Sequence, residues 1–228
     1  LIHLVVQRSN GIIYVSDYIF NLSKKYFSAN KKKSFVSPIG YNPKYFFKNP
    51  KCNTNKTILF VGRIDPKKGI YKYFSVLSTI SNYLNENNYT AKIIGRIDDP
   101  LFFDTLNKYK VKYNVEYLGE KNRTELGDYF NSAILTIVPS FYEAFGLVAV
   151  ESLACGTPVA CYPVGGFSGY IRDNYNGIFL DQNDDYKSGE KIINYLQNEE
   201  LMKKCSQNSP VSVEKYSIIY THEKNLEF

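Results

Sequence analysis

Short apolar runs rich in β-branched residues punctuate this chain, and longer amphipathic segments separate them. The runs cover residues 11–15, 57–61, 90–94, 114–118, 133–138, 158–161 and 177–180. Several are apolar almost throughout rather than alternating, as expected of strands covered on both faces. Between them the pattern predicts helices over 17–29, 69–85, 100–113, 123–131, 146–154, 185–196 and 199–205. Strand alternating with helix at this spacing predicts an α/β protein with a doubly wound parallel sheet. Ser37-Pro38-Ile39-Gly40-Tyr41-Asn42-Pro43 is dense in turn formers and marks the best boundary. Residues 47–56, rich in Asn and Lys, read as a polar connection into the main domain. Beyond residue 212, Tyr216, Ile219 and Tyr220 stand at near-helical spacing and predict a terminal helix with a face to pack. No internal repeat or low-complexity tract is evident.

Composition narrows the class. At about 150 residues per domain, 228 residues make between one and two domains. That is enough chain to bury a core without a disulfide or metal staple. With 44% hydrophobic and 22% charged residues the chain is not a disordered tail. It has no apolar run of about 18 residues, the length of a spanning helix. The first residues, Leu1 to Arg8, are too short and wrongly flanked for a signal peptide. With no initiator Met, the chain is expected to begin inside a longer protein. The net charge of +6 comes mostly from dispersed Lys, with one cluster at Lys31, Lys32 and Lys33. Such a distribution reads as a solvated surface, and no nucleic-acid partner is expected. Cys52, Cys155, Cys161 and Cys205 form no CxxC and have no ligand spacing with His3 or His222. They read as reduced, mainly buried thiols of a cytoplasmic protein, and no metal site is expected.

In an open parallel sheet, ligands bind beyond the carboxyl ends of the strands. The run at 57–61 is followed there by Gly62-Arg63-Ile64-Asp65-Pro66-Lys67-Lys68-Gly69. Arg63 can grip phosphate oxygens bidentately, Lys68 acts as a point charge, and a helix start adds backbone donors. Together they suit a diphosphate, although an ordinary solvated loop would have the same composition. The GxxxxGK[ST] spacing of a P-loop is absent. The run at 133–138 leads into a second constellation, Glu143 and Glu151. Glu151 sits in an otherwise apolar stretch and is costly to bury without partners. Sugar or ribose hydroxyls are such partners. The competing view puts Glu151 on a solvent face and leaves Glu143 as a helix-start charge. Gly146 allows a backbone amide close to a ligand, and Gly165-Gly166 after the next strand does the same or is only a turn.

These residues together resemble a known pattern. Val61-Gly62-Arg63-Ile64-Asp65-Pro66-Lys67-Lys68-Gly69 is similar to a GR-x(4)-KG loop. Pro139 to Glu151 is similar to a PS-x-x-E-x-FG-x(4)-E segment, with its glutamates in E-x7-E spacing, and Ala154-Cys155-Gly156-Thr157-Pro158-Val159 continues it. The chain resembles the retaining nucleotide-sugar glycosyltransferases of the GT-B fold, family 4, also described as glycosyl transferases group 1. The resemblance implies a Rossmann-like donor-binding domain at 41–211. It implies the end of an N-terminal acceptor domain and its linker at 1–40, and a tail helix at 212–228 packing toward that domain. It implies that Arg63 and Lys68 neutralise the donor diphosphate, and that Glu143 lies by the sugar and stabilises charge at the anomeric carbon. By the same resemblance Gly62 lines the phosphate loop, and Phe145, Gly146 and Leu147 offer backbone amides. Glu151 would hold the ribose, and the loop at Tyr117, Leu118 and Gly119 would cradle the base. No cofactor or metal is implied beyond the UDP- or GDP-linked sugar itself.

The implied partners are that nucleotide sugar and a glycan or lipid-linked acceptor, the latter allowing peripheral contact with a membrane face. Gly95-Arg96 departs from the family's Gly-acidic-Gly turn. The family's catalytic-site His has no counterpart, since His3 lies too near Val15-Ser16, itself a weaker echo of the family pattern. The leading expectation is therefore the donor-binding half of a glycosyltransferase. A non-catalytic nucleotide-binding or docking module and a GT-B sugar-nucleotide epimerase are the alternatives.

Overall fold

The computed structural model describes residues 10–26 and 34–226, with the side chains of the last four outside that description. Six strands form one sheet: β3 (Thr57–Val61), β4 (Thr90–Ile94), β5 (Val115–Tyr117), β6 (Leu135–Val138), β7 (Val159–Cys161) and β8 (Gly177–Phe179). Their order is β5-β4-β3-β6-β7-β8, with every neighbouring pair parallel. The chain winds outward from β3 to β5, then returns to β6 beside β3 and winds the other way. This is the Rossmann-like doubly wound sheet that the apolar runs predict, with the topological switch point between β3 and β6. The β3 and β6 side chains are buried at every position, because helices cover both faces.

The helices are α1 (Asp17–Tyr26), α2 (Ile70–Thr79), α3 (Ser81–Glu86), α4 (Phe102–Lys110), α5 (Arg123–Ser132), α6 (Leu147–Ala154), α7 (Asp185–Leu196), α8 (Glu199–Val213) and α9 (Ile218–Leu226). One core lies on the face covered by α2, α4 and α7, with Phe60, Tyr73, Phe74, Phe102 and Ile192 buried in it. The other lies under α5 and α6, around Leu59, Phe130, Val150, Leu153 and Phe167. Fully buried Tyr73 donates its hydroxyl to the Ile58 carbonyl at 2.8 Å, so its polar end is satisfied inside the first core.

Three elements depart from the pattern's boundaries. The helix expected over 69–85 breaks at Ile80 (φ −116, ψ 18) into α2 and α3. α7 crosses there through Gly189, where a Cβ would stand 2.2 Å from Thr79 Oγ1 and 2.8 Å from Ile80 Cγ2. The helix expected to stop at Cys205 runs on to Val213 in spite of Pro210. Pro210 has no N–H for the Ser206 carbonyl one turn back, and Lys48 Nζ donates to that carbonyl at 3.2 Å instead. The tail helix consequently begins only at Ile218. The last stretch of the helix expected over 17–29 falls outside the described residues, as do Lys31, Lys32, Lys33 and His3.

A small parallel sheet, β1 (Ile12–Tyr14) with β2 (Ser34–Val36), stands apart from the main one. β2 is too short to announce itself in the apolar pattern. The turn-rich stretch after it is anchored rather than loose. Ser37 N donates to Tyr14 O, Tyr41 N donates to Tyr216 O, and Ile218 N donates to Tyr41 O, all at 2.9 Å. Tyr41 and Ser217 thus form a parallel bridge that joins this stretch to the start of α9. No helix among the described residues is long and apolar enough to cross a membrane.

Candidate functional site

The carboxyl ends of β3, β4 and β5 each run into a glycine with positive φ: Gly62, Gly95 and Gly119. The close stacking of these turns requires one of them outright. A Cβ on Gly95 would lie 1.7 Å from the Gly62 carbonyl oxygen. Past Gly62 the chain pairs with the β4 loop, Ile64 N donating to Arg96 O at 2.8 Å and Asp98 N to Ile64 O at 3.1 Å. Asp65 then caps a short 3-10 turn over Pro66–Lys68, accepting from Lys68 N at 3.0 Å, with Pro66 at the first position. Asp followed by Pro at such a start is a legible signal, and Asp65 is a site-shaping residue that motif matching overlooks.

The loops after β3 and β6 meet across the switch point. Phe141 N donates to Lys67 O at 3.2 Å, and Gly69, at φ 78, packs against the Pro139 carbonyl. This brings Lys68 to Glu143, with Nζ to Oε1 at 2.6 Å. Buried Ser140 donates its hydroxyl to the same oxygen at 3.0 Å. The Glu143 backbone is clamped from behind, since Gly166 N donates to Glu143 O at 2.9 Å. Ser16, ahead of α1, donates to Ala144 O at 2.5 Å, so the N-terminal segment touches this same loop. Ser140 stands in the PS-x-x-E segment without an assigned role, and Ser16 is a contributor that the sequence reading leaves without one.

Arg63 is more open, its side chain 57% exposed and 3.6 Å from both Asp65 and Asp98. Arg96 is occupied by Asp98 through two hydrogen bonds of 2.8 and 3.2 Å. Those bonds, with the nearby Arg63, hold the Asp98 carboxyl below its ordinary range. The unusual arginine is thereby neutralised within its own loop.

α6 starts at Gly146, whose φ is 89. A Cβ there would meet Phe167 Cε1 at 2.3 Å and the Tyr170 hydroxyl at 2.8 Å. That hydroxyl lies 2.8 Å from Phe145 O and 2.9 Å from Gly146 O. Leu147 opens the helix, and its amide, as a first-turn N–H, has no intrahelical acceptor. The Phe145 ring is buried between Tyr170 and Tyr216, so only its backbone can face a ligand.

Glu151 lies one turn into α6, half-buried, and its carboxylate has no hydrogen-bond or ion-pair partner among the described residues. Burial pushes its carboxyl up to about 7, with the positive field of Arg123 a smaller opposing effect. The folded value exceeds the unfolded one, so ionising Glu151 costs stability as pH rises from about 4.5 through about 7. Replacing it with Gln is expected to raise the stability measured by urea unfolding at pH 8 by on the order of 1–2 kcal/mol, and to change it little near pH 4.5. Equal shifts at both pH values would contradict this.

Tyr117 and Leu118 are not brought together. Successive strand residues face opposite sides. Tyr117 joins the α4 side, its ring against Phe102 and Phe103 and its hydroxyl donating to Gly95 O at 2.9 Å. Leu118 joins the α6 side, in the cluster that includes Val61, Ile94 and Leu147. Leu118 therefore shares a face with Gly146 and Glu151, while Tyr117 props up the Gly95 turn. Among the described residues no group of His, Cys, Asp and Glu is arranged to hold a metal ion.

Comparison with known proteins places this geometry. Residues 42–211 match the family model described as "Glycosyl transferases group 1". An uncharacterized glycosyltransferase of Methanocaldococcus jannaschii, MJ1178, is 31% identical over 212 residues, covering 92% of this chain and 56% of that protein. Among solved structures, sucrose-phosphate synthase from Thermosynechococcus elongatus superimposes with a TM-score of 0.85 at 22% identity, over 99% of this chain and 59% of that one. Anabaena HepE in complex with UDP and glucose gives 0.83 at 15% identity, over 98% of this chain and 64% of that one. The sheet is thus that of the GT-B fold, and this chain spans just over half the length of the Methanocaldococcus jannaschii relative. The chain belongs to the glycosyl transferases group 1 family.

Proposed function

We propose that this chain is the donor-binding half of a retaining glycosyltransferase, which transfers a sugar from a UDP- or GDP-linked donor to a glycan or lipid-linked acceptor. The observation that carries the reading is the meeting of Lys68 with Glu143 at the switch point between β3 and β6. A phosphate-binding cation and a sugar-binding carboxylate there stand side by side, as a nucleotide-diphosphate sugar requires. In this reading Arg63 and Lys68 bind the diphosphate, which is also the leaving group, so their charges act most strongly as the glycosidic bond breaks. The Gly62 turn and the amides of Gly146 and Leu147 approach the phosphates or sugar. Glu143 faces the developing positive charge at the anomeric carbon. The unpartnered carboxylate of Glu151 accepts from the ribose hydroxyls, which offset the cost of its burial. Leu118 lines the base side.

UDP is the first ligand to test, because it is the nucleotide bound in the HepE structure of this fold. Calorimetry is expected to show binding of UDP or GDP by the wild-type chain. Arg63→Ala is expected to weaken it about tenfold, the loss of one charge-assisted contact at an exposed position. Absence of binding by any nucleoside diphosphate, or binding indifferent to Arg63, would sink the reading.

A further inference from the structure

We propose that Lys68 is shared between two partners, Glu143 in the empty site and the donor diphosphate in the filled one, so that diphosphate binding itself releases the Glu143 carboxylate for the sugar. The inference rests on the functional reading above and goes beyond it by coupling two residues whose roles are otherwise separate. The pair is close, 2.6 Å, with side-chain exposures of only 28% for Lys68 and 13% for Glu143. The ammonium has three N–H donors, and the one spent on Glu143 in so short a contact is withheld from phosphate oxygens, so carboxylate and diphosphate compete for it. Lys is suited to the exchange, since its ammonium rides on a flexible four-carbon stem and bonds as a point charge rather than a fixed fork.

The other end of the pair is built to tolerate the exchange. Both Lys68 and Ser140 donate to Oε1 of Glu143. When Lys68 leaves, Ser140 still holds that oxygen, and the Gly166 amide still holds the Glu143 carbonyl. The carboxylate therefore keeps its orientation while losing its neutralising charge. Its negative charge becomes effective only once a diphosphate is in place. The backbone of Lys68 need not move, because Asp65 fixes its amide independently of the side chain.

The consequence is competition: Glu143 opposes diphosphate binding by occupying Lys68. Glu143→Gln keeps the side chain's shape and removes the charge. It is expected to tighten binding of UDP, and of inorganic pyrophosphate as a base-independent probe, about three- to tenfold, the scale of one partly screened ion pair. Affinities would be read by chemical-shift titration, which reaches weak complexes, with thermal melts to confirm folding. In a Lys68→Ala background the same substitution is expected to gain less than half as much. No gain in the wild-type background, or an equal gain in both, would overturn the exchange and leave plain charge repulsion. If the wild-type chain binds UDP, GDP and pyrophosphate not at all, the nucleotide-diphosphate reading falls and the exchange falls with it.

Discussion

Replacing Lys68 with alanine is expected to weaken UDP binding about a hundredfold, markedly more than the loss on replacing Arg63. The difference follows from surroundings. Arg63 is 57% exposed and its acidic neighbours stand 3.6 Å away, so water screens what it contributes. Lys68 is 28% exposed and pinned between the β3 and β6 loops. Its removal takes away a charge-assisted contact to phosphate that water screens little, and this loss outweighs the relief from competition with Glu143. Calorimetry on the two single variants checks the ranking; a smaller loss for Lys68→Ala than for Arg63→Ala would contradict it.

Substituting Gly69 by alanine is expected to cost about 3 kcal/mol of stability and to abolish measurable UDP binding. Gly69 has φ 78, and a Cβ there would lie 1.9 Å from the Pro139 carbonyl oxygen. Left-handed backbone alone costs a non-glycine residue about 1–2 kcal/mol. The clash is with backbone, which no side-chain rotation relieves, so the two loops must separate. Lys68 and Glu143 sit on those loops and would part with them. Gly119 is the natural control: its φ is 74, but a Cβ there meets nothing within 4 Å. Gly119→Ala is expected to cost only about 1 kcal/mol. Urea unfolding of both variants measures the difference, and equal losses would rule out the steric part of the argument.

Much of the architecture is legible before any coordinates. Each predicted strand of the main sheet lies within two residues of an observed one, because strands covered on both faces must be apolar throughout. Glycines at the strand ends and the Asp65-Pro66 cap are local signals of the same kind. The irregularities are legible only in part. The break at Ile80 is imposed by α7, whose Gly189 packs against it across the core. One turn before Pro210 in α8, the Ser206 carbonyl accepts from Lys48, which lies 158 residues before it.

By itself the sequence determined the alternation of strand and helix, the parallel sheet that follows from it, and the residue types of the candidate site. Those are properties of short windows: hydrophobic period, turn chemistry, and charge beside glycine. The tertiary structure alone decided which of the candidates meet. Lys68 and Glu143 are 75 residues apart and touch because β3 and β6 are neighbours at the switch point. Tyr117 and Leu118 are adjacent in sequence and part company because a strand turns them to opposite faces of the sheet. Ser140, a fixed position of the PS-x-x-E segment with no role assigned by it, holds the carboxylate that the motif made conspicuous. Contacts of this kind depend on strand order and backbone approach, which a local pattern does not encode.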